Sequence, residues 1–144
     1  MKNVKLLFIL LAIVMTSCST DSEDIITQAD LTLDTATRTA ILSELETTLT
    51  EQKRVLIKYE DSKVIEIDGE MFLRAWSGDF VTTTLLGKGK DGKLQTRGVS
   101  CTTTACSGIP NACEPNERGY CSPCTGGDCT KTTTEDDGLA EIGE

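Results

Sequence analysis

The sequence predicts an α+β protein: one N-terminal helix packed on a small antiparallel β-meander, followed by a disulfide-rich loop module. Three observations carry this. Ile41, Leu42, Leu45 and Leu49 recur at three- and four-residue steps, with Glu44, Glu46 and Glu51 on the opposite side, which is one apolar stripe of a helix. After Gln52 the period changes to two, in short runs separated by turn residues. Beyond Gly98 large apolar side chains nearly vanish, and six cysteines take their place.

The elements follow in order. Asp34 suits a helix N-cap, because its short carboxylate can accept from the free N–H groups of the first turn. The stripe then runs to about Gln52, with enough threonine to make it a middling helix former. Val55, Ile57 and Tyr59 alternate with Leu56, Lys58 and Glu60, which predicts a strand there. Residues 63–67 repeat the alternation up to the turn signal Asp68-Gly69. Residues 71–76 and 80–86 read as two more strands, divided by Ser77-Gly78-Asp79. Lys90-Asp91-Gly92-Lys93 reads as a hairpin turn into a strand from Leu94 to about Thr102.

The stretch 98–130 has only Val99, Ile109 and Tyr120 as sizeable apolar groups. So little burial cannot offset the entropy of ordering the chain, so the segment must be cross-linked or unfolded. Its cysteines are Cys101, Cys106, Cys113, Cys121, Cys124 and Cys129. Their even number, in a chain read below as exported, predicts three disulfides, and the sequence does not choose the pairing. Each bridge removes roughly 2–4 kcal/mol of denatured-state freedom, in place of the missing core. Two alternatives stay open. Four thiolates could hold zinc, with Cys121-Ser122-Pro123-Cys124 supplying one close pair, although a second close pair is missing. The same four residues resemble the C-x-P-C active site of thioredoxin-like oxidoreductases, which implies an envelope thiol–disulfide oxidoreductase using Cys121 and Cys124. That motif belongs at a helix N-terminus after a strand, and here it sits among Gly, Pro and further cysteines.

The start of the chain gives the address. Lys2 and Lys5 precede ten uninterrupted apolar residues, 6–15. A bilayer-spanning helix needs roughly twenty, so the run has the length of a secretory signal. Met15-Thr16-Ser17-Cys18 resembles the lipobox of bacterial lipoproteins, with Met15 where Leu is usual. The resemblance implies cleavage before Cys18 and acylation of that cysteine on sulfur and on its new amine. More than one acyl chain gives stable anchoring, so the expected membrane contact is the lipid on Cys18. Ser19-Thr20-Asp21-Ser22-Glu23-Asp24 resembles the acidic export signal of surface-exposed lipoproteins in the Bacteroidota, and serves equally as a solvated tether. Asp34-Thr35-Ala36 also resembles the short O-glycosylation motif of that phylum. The implied location is the outer membrane, facing the periplasm or the cell surface.

Composition removes several function classes. The formal charge of −9 becomes −11 once the leader takes Lys2 and Lys5 with it, so nucleic acid is an unsuitable partner. Histidine is absent, which removes Ser-His and Cys-His nucleophiles and the commonest metal nitrogen ligand. Gly87-Lys88-Gly89-Lys90-Asp91-Gly92-Lys93-Leu94 nearly fits a phosphate-binding loop, but Leu94 stands where the magnesium-binding hydroxyl belongs and a strand follows where a helix should. Trp76 and Phe80 read as core, the paired acids Glu60-Asp61 and Asp136-Asp137 as solvated charge, and the threonine triplets at 82–84, 102–104 and 132–134 as compositional bias. The expected organisation is a signal peptide over 1–17, an acidic tether over 18–33, a small α+β domain over 34–97, a cysteine-rich module over 98–130 and an acidic disordered tail over 131–144. No catalytic residue, metal ligand or cofactor is assigned. The expected role is a non-catalytic binding module for an envelope protein or glycan, recognised through the rigid cysteine-rich part.

Overall fold

The structure, a computed structural model, describes residues 33–109 and 111–134. Cys18, with the leader and most of the tether, lies outside them, as do residues 135–144. Asp34 caps helix α1 (Thr35–Lys53) as its position suggests. Its carboxylate accepts from the Thr37 backbone N–H at 3.0 Å and from the Thr37 hydroxyl at 2.7 Å. The hydroxyl bond, with the backbone bond behind it, holds the Asp34 carboxyl below its ordinary value. The helix stops at Arg54, which turns left-handed (φ 56°) and donates its N–H to the Thr50 carbonyl. Ile41, Leu45 and Leu49 bury the predicted stripe against Leu33, Ile57, Leu73, Leu86 and Leu94.

The strand expected around residues 55–59 does not form. The alternation is physically real, since Ile57 is buried and Leu56 is 83% exposed. Three consecutive backbone donors, however, are taken by side chains rather than by a neighbouring strand. Ile57 donates to Thr50 Oγ1 at 3.0 Å, Lys58 to Ser77 Oγ at 3.0 Å and Tyr59 to Glu46 Oε1 at 2.8 Å. The segment is an extended strap clamped beneath the helix, and period alone does not distinguish that from a strand.

Five strands follow: β1 (Asp61–Ile67), β2 (Glu70–Ser77), β3 (Phe80–Lys88), β4 (Leu94–Thr103) and β5 (Thr130–Thr133). They form one antiparallel sheet in the order β1-β2-β3-β4-β5. The Asp68-Gly69 turn places both residues at positive φ (52° and 85°), as a two-residue hairpin between twisted strands requires. The Gly87–Lys93 stretch is the end of β3 and its hairpin loop into β4, closed by Gly89 N–H to Lys93 O at 2.8 Å.

Two expected boundaries move. The division at residue 98 falls inside β4, so the sheet and the cysteine module share a strand. Residues 131–133, expected in the tail, belong instead to β5, which covers Thr130–Thr133 and pairs Val99 with Thr133 and Thr102 with Thr130. This strand carries no large apolar residue. Its inward contact is the Thr132 hydroxyl, 1% exposed and donating to Gln52 Oε1 at 3.2 Å.

That contact belongs to a larger pattern. Register places Ser62, Ala75, Thr82, Thr102 and Thr130 on one row, and Val64, Leu73, Thr84, Ser100 and Thr132 on the next, all on the helix side. Tyr59 donates to Thr82 at 2.7 Å, Thr82 bonds Thr102 at 2.9 Å, and Thr84 bonds Ser100 at 2.8 Å. The helix therefore rests on leucines at one end of the sheet and on paired buried hydroxyls across β3–β5. Seven of the nine threonines in the triplets are buried, Thr104 and Thr133 being exposed, so the triplets read as bias are largely interior. Each satisfied bond contributes about 0.5–1.5 kcal/mol net, whereas an orphaned hydroxyl there would cost about 1–3 kcal/mol.

Tyr59 reports on this interior. Burial pushes its phenol up to about 12, against the Thr82 bond, which pulls the other way. The folded chain thus keeps a proton that the unfolded chain loses near its ordinary value of 10.0. This contribution to stability is complete below the lower value and is lost as the pH rises through the upper one. In a Tyr120→Phe variant, where Tyr59 is the remaining tyrosine, tyrosinate absorbance should rise near pH 12 in native protein and near pH 10 in denaturant. A native midpoint near 10 would contradict the buried phenol.

Candidate functional site

The face of the sheet away from the helix also carries apolar residues. Phe72, Val81 and Leu85 point there by register and are 3%, 6% and 2% exposed. Their cover is the long connection 104–129, which joins two adjacent antiparallel strands that a two-residue turn could have linked. The chain uses the excursion to make a third layer, so the molecule is stacked as helix, sheet and loop.

Disulfides fix that layer. Cys101 pairs with Cys121, Cys106 with Cys124 and Cys113 with Cys129, at Cα separations of 5.8, 6.0 and 5.5 Å. All six candidate cysteines are used. Each of the first three joins its counterpart among the second three, so every bridge spans an end of every other. Cys121 and Cys124 are bonded to Cys101 and Cys106 and not to one another, so the C-x-P-C sequence is not a redox bridge here. The physical reason is the sheet: Cys101 belongs to β4 and presents its sulfur to the far face, where Cys121 meets it.

Between the bridges lies a small hairpin. Pro115 and Cys121 form its bridge, Asn116 N–H donates to Tyr120 O at 2.9 Å, and Ser122 N–H donates to Glu114 O at 2.8 Å. The Asn116 side chain accepts from the N–H groups of Arg118 and Tyr120, both at 3.0 Å, which closes the tip. Ser122 Oγ accepts from Glu114 N–H and donates to Asn111 O, tying the hairpin to the chain before it.

Two cations of the sheet hold this hairpin down. The Arg74 guanidinium pairs with the Glu114 carboxylate and donates to Thr83 Oγ1 at 3.2 Å, with Glu114 only 7% exposed. At the other end Arg97 reaches Glu117 at 3.5 Å. A bulge in β4 around Gly98 (φ 70°) re-aims Arg97. Its side chain lies across Gly87, where an added Cβ would come within 2.6 Å of Nε. Gly87 is therefore a packing requirement of Arg97 and not part of a phosphate loop. A shallow cleft of about 180 Å³ opens beside this pair, lined by Glu70, Met71, Lys88, Arg97 and Glu117 among others. Its polar lining consists of carboxylates and cations, with no cysteine, serine or threonine.

Outward, the layer shows Tyr120, 66% exposed, with Lys131 Nζ 5.8 Å from its ring centroid, and Ile109, 49% exposed. Trp76 and Phe80 lie half-buried. Phe80 packs on the helix-side core, and Trp76 sits under Lys63 on the far face at 5.2 Å. Sequence patterning singled out the cysteines but missed Arg74, Arg97, Glu114 and Tyr120. Arg74 gave one usable signal, a charge interrupting an otherwise apolar strand.

Removing the carboxylate of Glu114 leaves Arg74 partly buried without its charge partner, with Thr83 Oγ1 still accepting from Nε. The Glu114→Ala variant should lose about 1–3 kcal/mol of unfolding free energy with the bridges intact, measured by urea unfolding without reductant. An unchanged midpoint would mean that the ion pair does not hold the layer. No protein-family model matches the chain, and neither a curated protein nor a solved structure matches it, so any functional conclusion rests on these residues and their chemistry.

Proposed function

We propose that this protein is an outer-membrane lipoprotein whose disulfide-braced layer is a non-catalytic recognition surface for an envelope protein or glycan. The observation that supports this most is the combination in residues 104–129 of rigidity and display. Three bridges and two sheet-anchored ion pairs fix the backbone, while Tyr120 stands 66% exposed on a closed hairpin tip. A rigid, amphipathic aromatic loses little conformational freedom on association and contributes strongly where it is buried by a partner. Lipidation of Cys18 supplies the membrane contact in this reading, and residues 19–33 could extend at most about 50 Å from it. The acidic balance of the chain leaves the acyl groups, rather than a basic patch, to hold the membrane. The rival oxidoreductase reading has no observation in its favour, since its two sulfurs are bonded to separate partners.

Two measurements test the two halves of the proposal. Cys18→Ala should abolish acyl labelling and release the chain from the membrane fraction, and retention there would refute lipid anchoring. The chain beginning at Ser19, used as bait on an envelope extract, should enrich a specific protein or glycan. Tyr120→Ala should weaken that capture by at least about 30-fold, the effect of a hot-spot aromatic. Enrichment of nothing, or capture indifferent to Tyr120, would defeat the recognition reading.

A further inference from the structure

The sulfurs of Cys101, Cys121 and Cys129 lie within 4.8 Å of one another, although they belong to two different bridges. The fourth sulfur of those bridges, on Cys113, is bonded to Cys129. We infer that these four cysteines form a latent soft-metal site: once both bridges are reduced, they bind one zinc ion as a tetrathiolate. The inference stands apart from the recognition surface and does not depend on it.

Geometry supports it first. Tetrahedral zinc takes thiolates at about 2.3 Å, which puts ligand sulfurs about 3.8 Å apart. Cys101 and Cys121 are bonded to one another, and the Cys129 sulfur lies within 4.8 Å of both, so opening the bridges needs only short movements to reach that spacing. Two of them are positioned by the sheet and not by the bridges. Cys101 lies in β4, and Cys129 directly precedes β5, with Thr102 opposite Thr130 in the ladder. Cys121 ends the hairpin that Arg74 holds through Glu114. The third bridge, Cys106–Cys124, shares no sulfur with the cluster.

Charge supports it second. Register places Lys63, Arg74, Thr83, Cys101 and Lys131 on one row of this face. Of these cations Lys131 is the one directly opposite Cys101, and Arg74, two strands away, is paired with Glu114; a cation beside a thiol favours the thiolate. These four cysteines include no close pair in sequence; the pairing of β4 with β5 brings Cys101 and Cys129 together.

The chemistry balances as follows. Each bridge accepts two electrons and two protons and becomes two thiols. A dithiol reductant supplies these and is itself oxidised to a disulfide. Binding then releases one proton from each of the four thiols to solvent. In the oxidised chain the same sulfurs have no thiolate to offer, so metal uptake is gated by reduction.

The test uses the full chain in detergent, reduced with a water-soluble phosphine, which becomes its oxide, and then titrated with cobalt or zinc. The expected result is one metal per chain by native mass, with sulfur-to-cobalt charge-transfer absorption and the intense visible bands of tetrahedral cobalt. Oxidised chain should take none. Cys129→Ser should weaken binding by more than about a hundredfold, beyond the range of outer-shell partners. A Cys106→Ser, Cys124→Ser double variant should keep one tetrathiolate metal. Circular dichroism of each reduced variant separates loss of ligand from loss of fold, and the titration of the unaltered reduced chain decides if a variant unfolds. No stoichiometric metal on that chain, cobalt without thiolate bands, or equal binding by Cys129→Ser would overturn the inference.

Discussion

A twisted five-stranded sheet has two faces, and among the described residues one helix is available to cover them. That constraint organises the rest. The helix takes the face that carries Leu73, Leu86 and Leu94, and the other face still presents Phe72, Val81 and Leu85. Among the described connections only the one between β4 and β5 is long enough to cover them, and its sequence has almost nothing apolar to contribute. Burial cannot hold such a layer in place, so covalent bonds do. The bridges start from a sheet strand at Cys101, end beside a sheet strand at Cys129 and cross in between, so the layer is tied to the sheet at both ends and to itself.

The ion pairs have a narrower task. Arg74 and Arg97 rise from the covered face and meet Glu114 and Glu117 on one small hairpin. The pair at Glu114 is largely removed from water and sets the position of the hairpin more than it adds net stability. The pair at Glu117 is solvent-exposed and contributes little energy. What results is a surface whose shape is fixed before any partner arrives.

Much of this fold was legible in the residues. The helix stripe at Ile41, Leu45 and Leu49, the Asp34 cap, the Asp68-Gly69 turn and the cross-linked character of 98–130 all follow from period, turn chemistry and cysteine count. Three things were not, each for a physical reason. The strap around Ile57 alternates like a strand, but Thr50, Ser77 and Glu46 take its donors, and sequence does not reveal such side-chain competition. The β5 strand hides because it buries a hydroxyl where a strand normally buries a hydrocarbon. The threonine triplets gave the clue, since each falls on a strand that pairs with the next, and Thr82 meets Thr102 directly. The pairing of the cysteines was beyond the sequence, because it depends on which sulfurs the strands bring to one face.

The central claim is that three crossing bridges bind the loop layer to the sheet, and mapping them in the unreduced chain tests it most directly. Cleavage after Arg97, Arg118 and Lys131 gives fragments 98–118 and 119–131, each with three cysteines. The account predicts that all three bridges run between these fragments, as Cys101–Cys121, Cys106–Cys124 and Cys113–Cys129, when fragmentation across the sulfurs resolves them. A bridge inside either fragment, Cys121–Cys124 above all, would contradict it and return the C-x-P-C pair to consideration as chemistry.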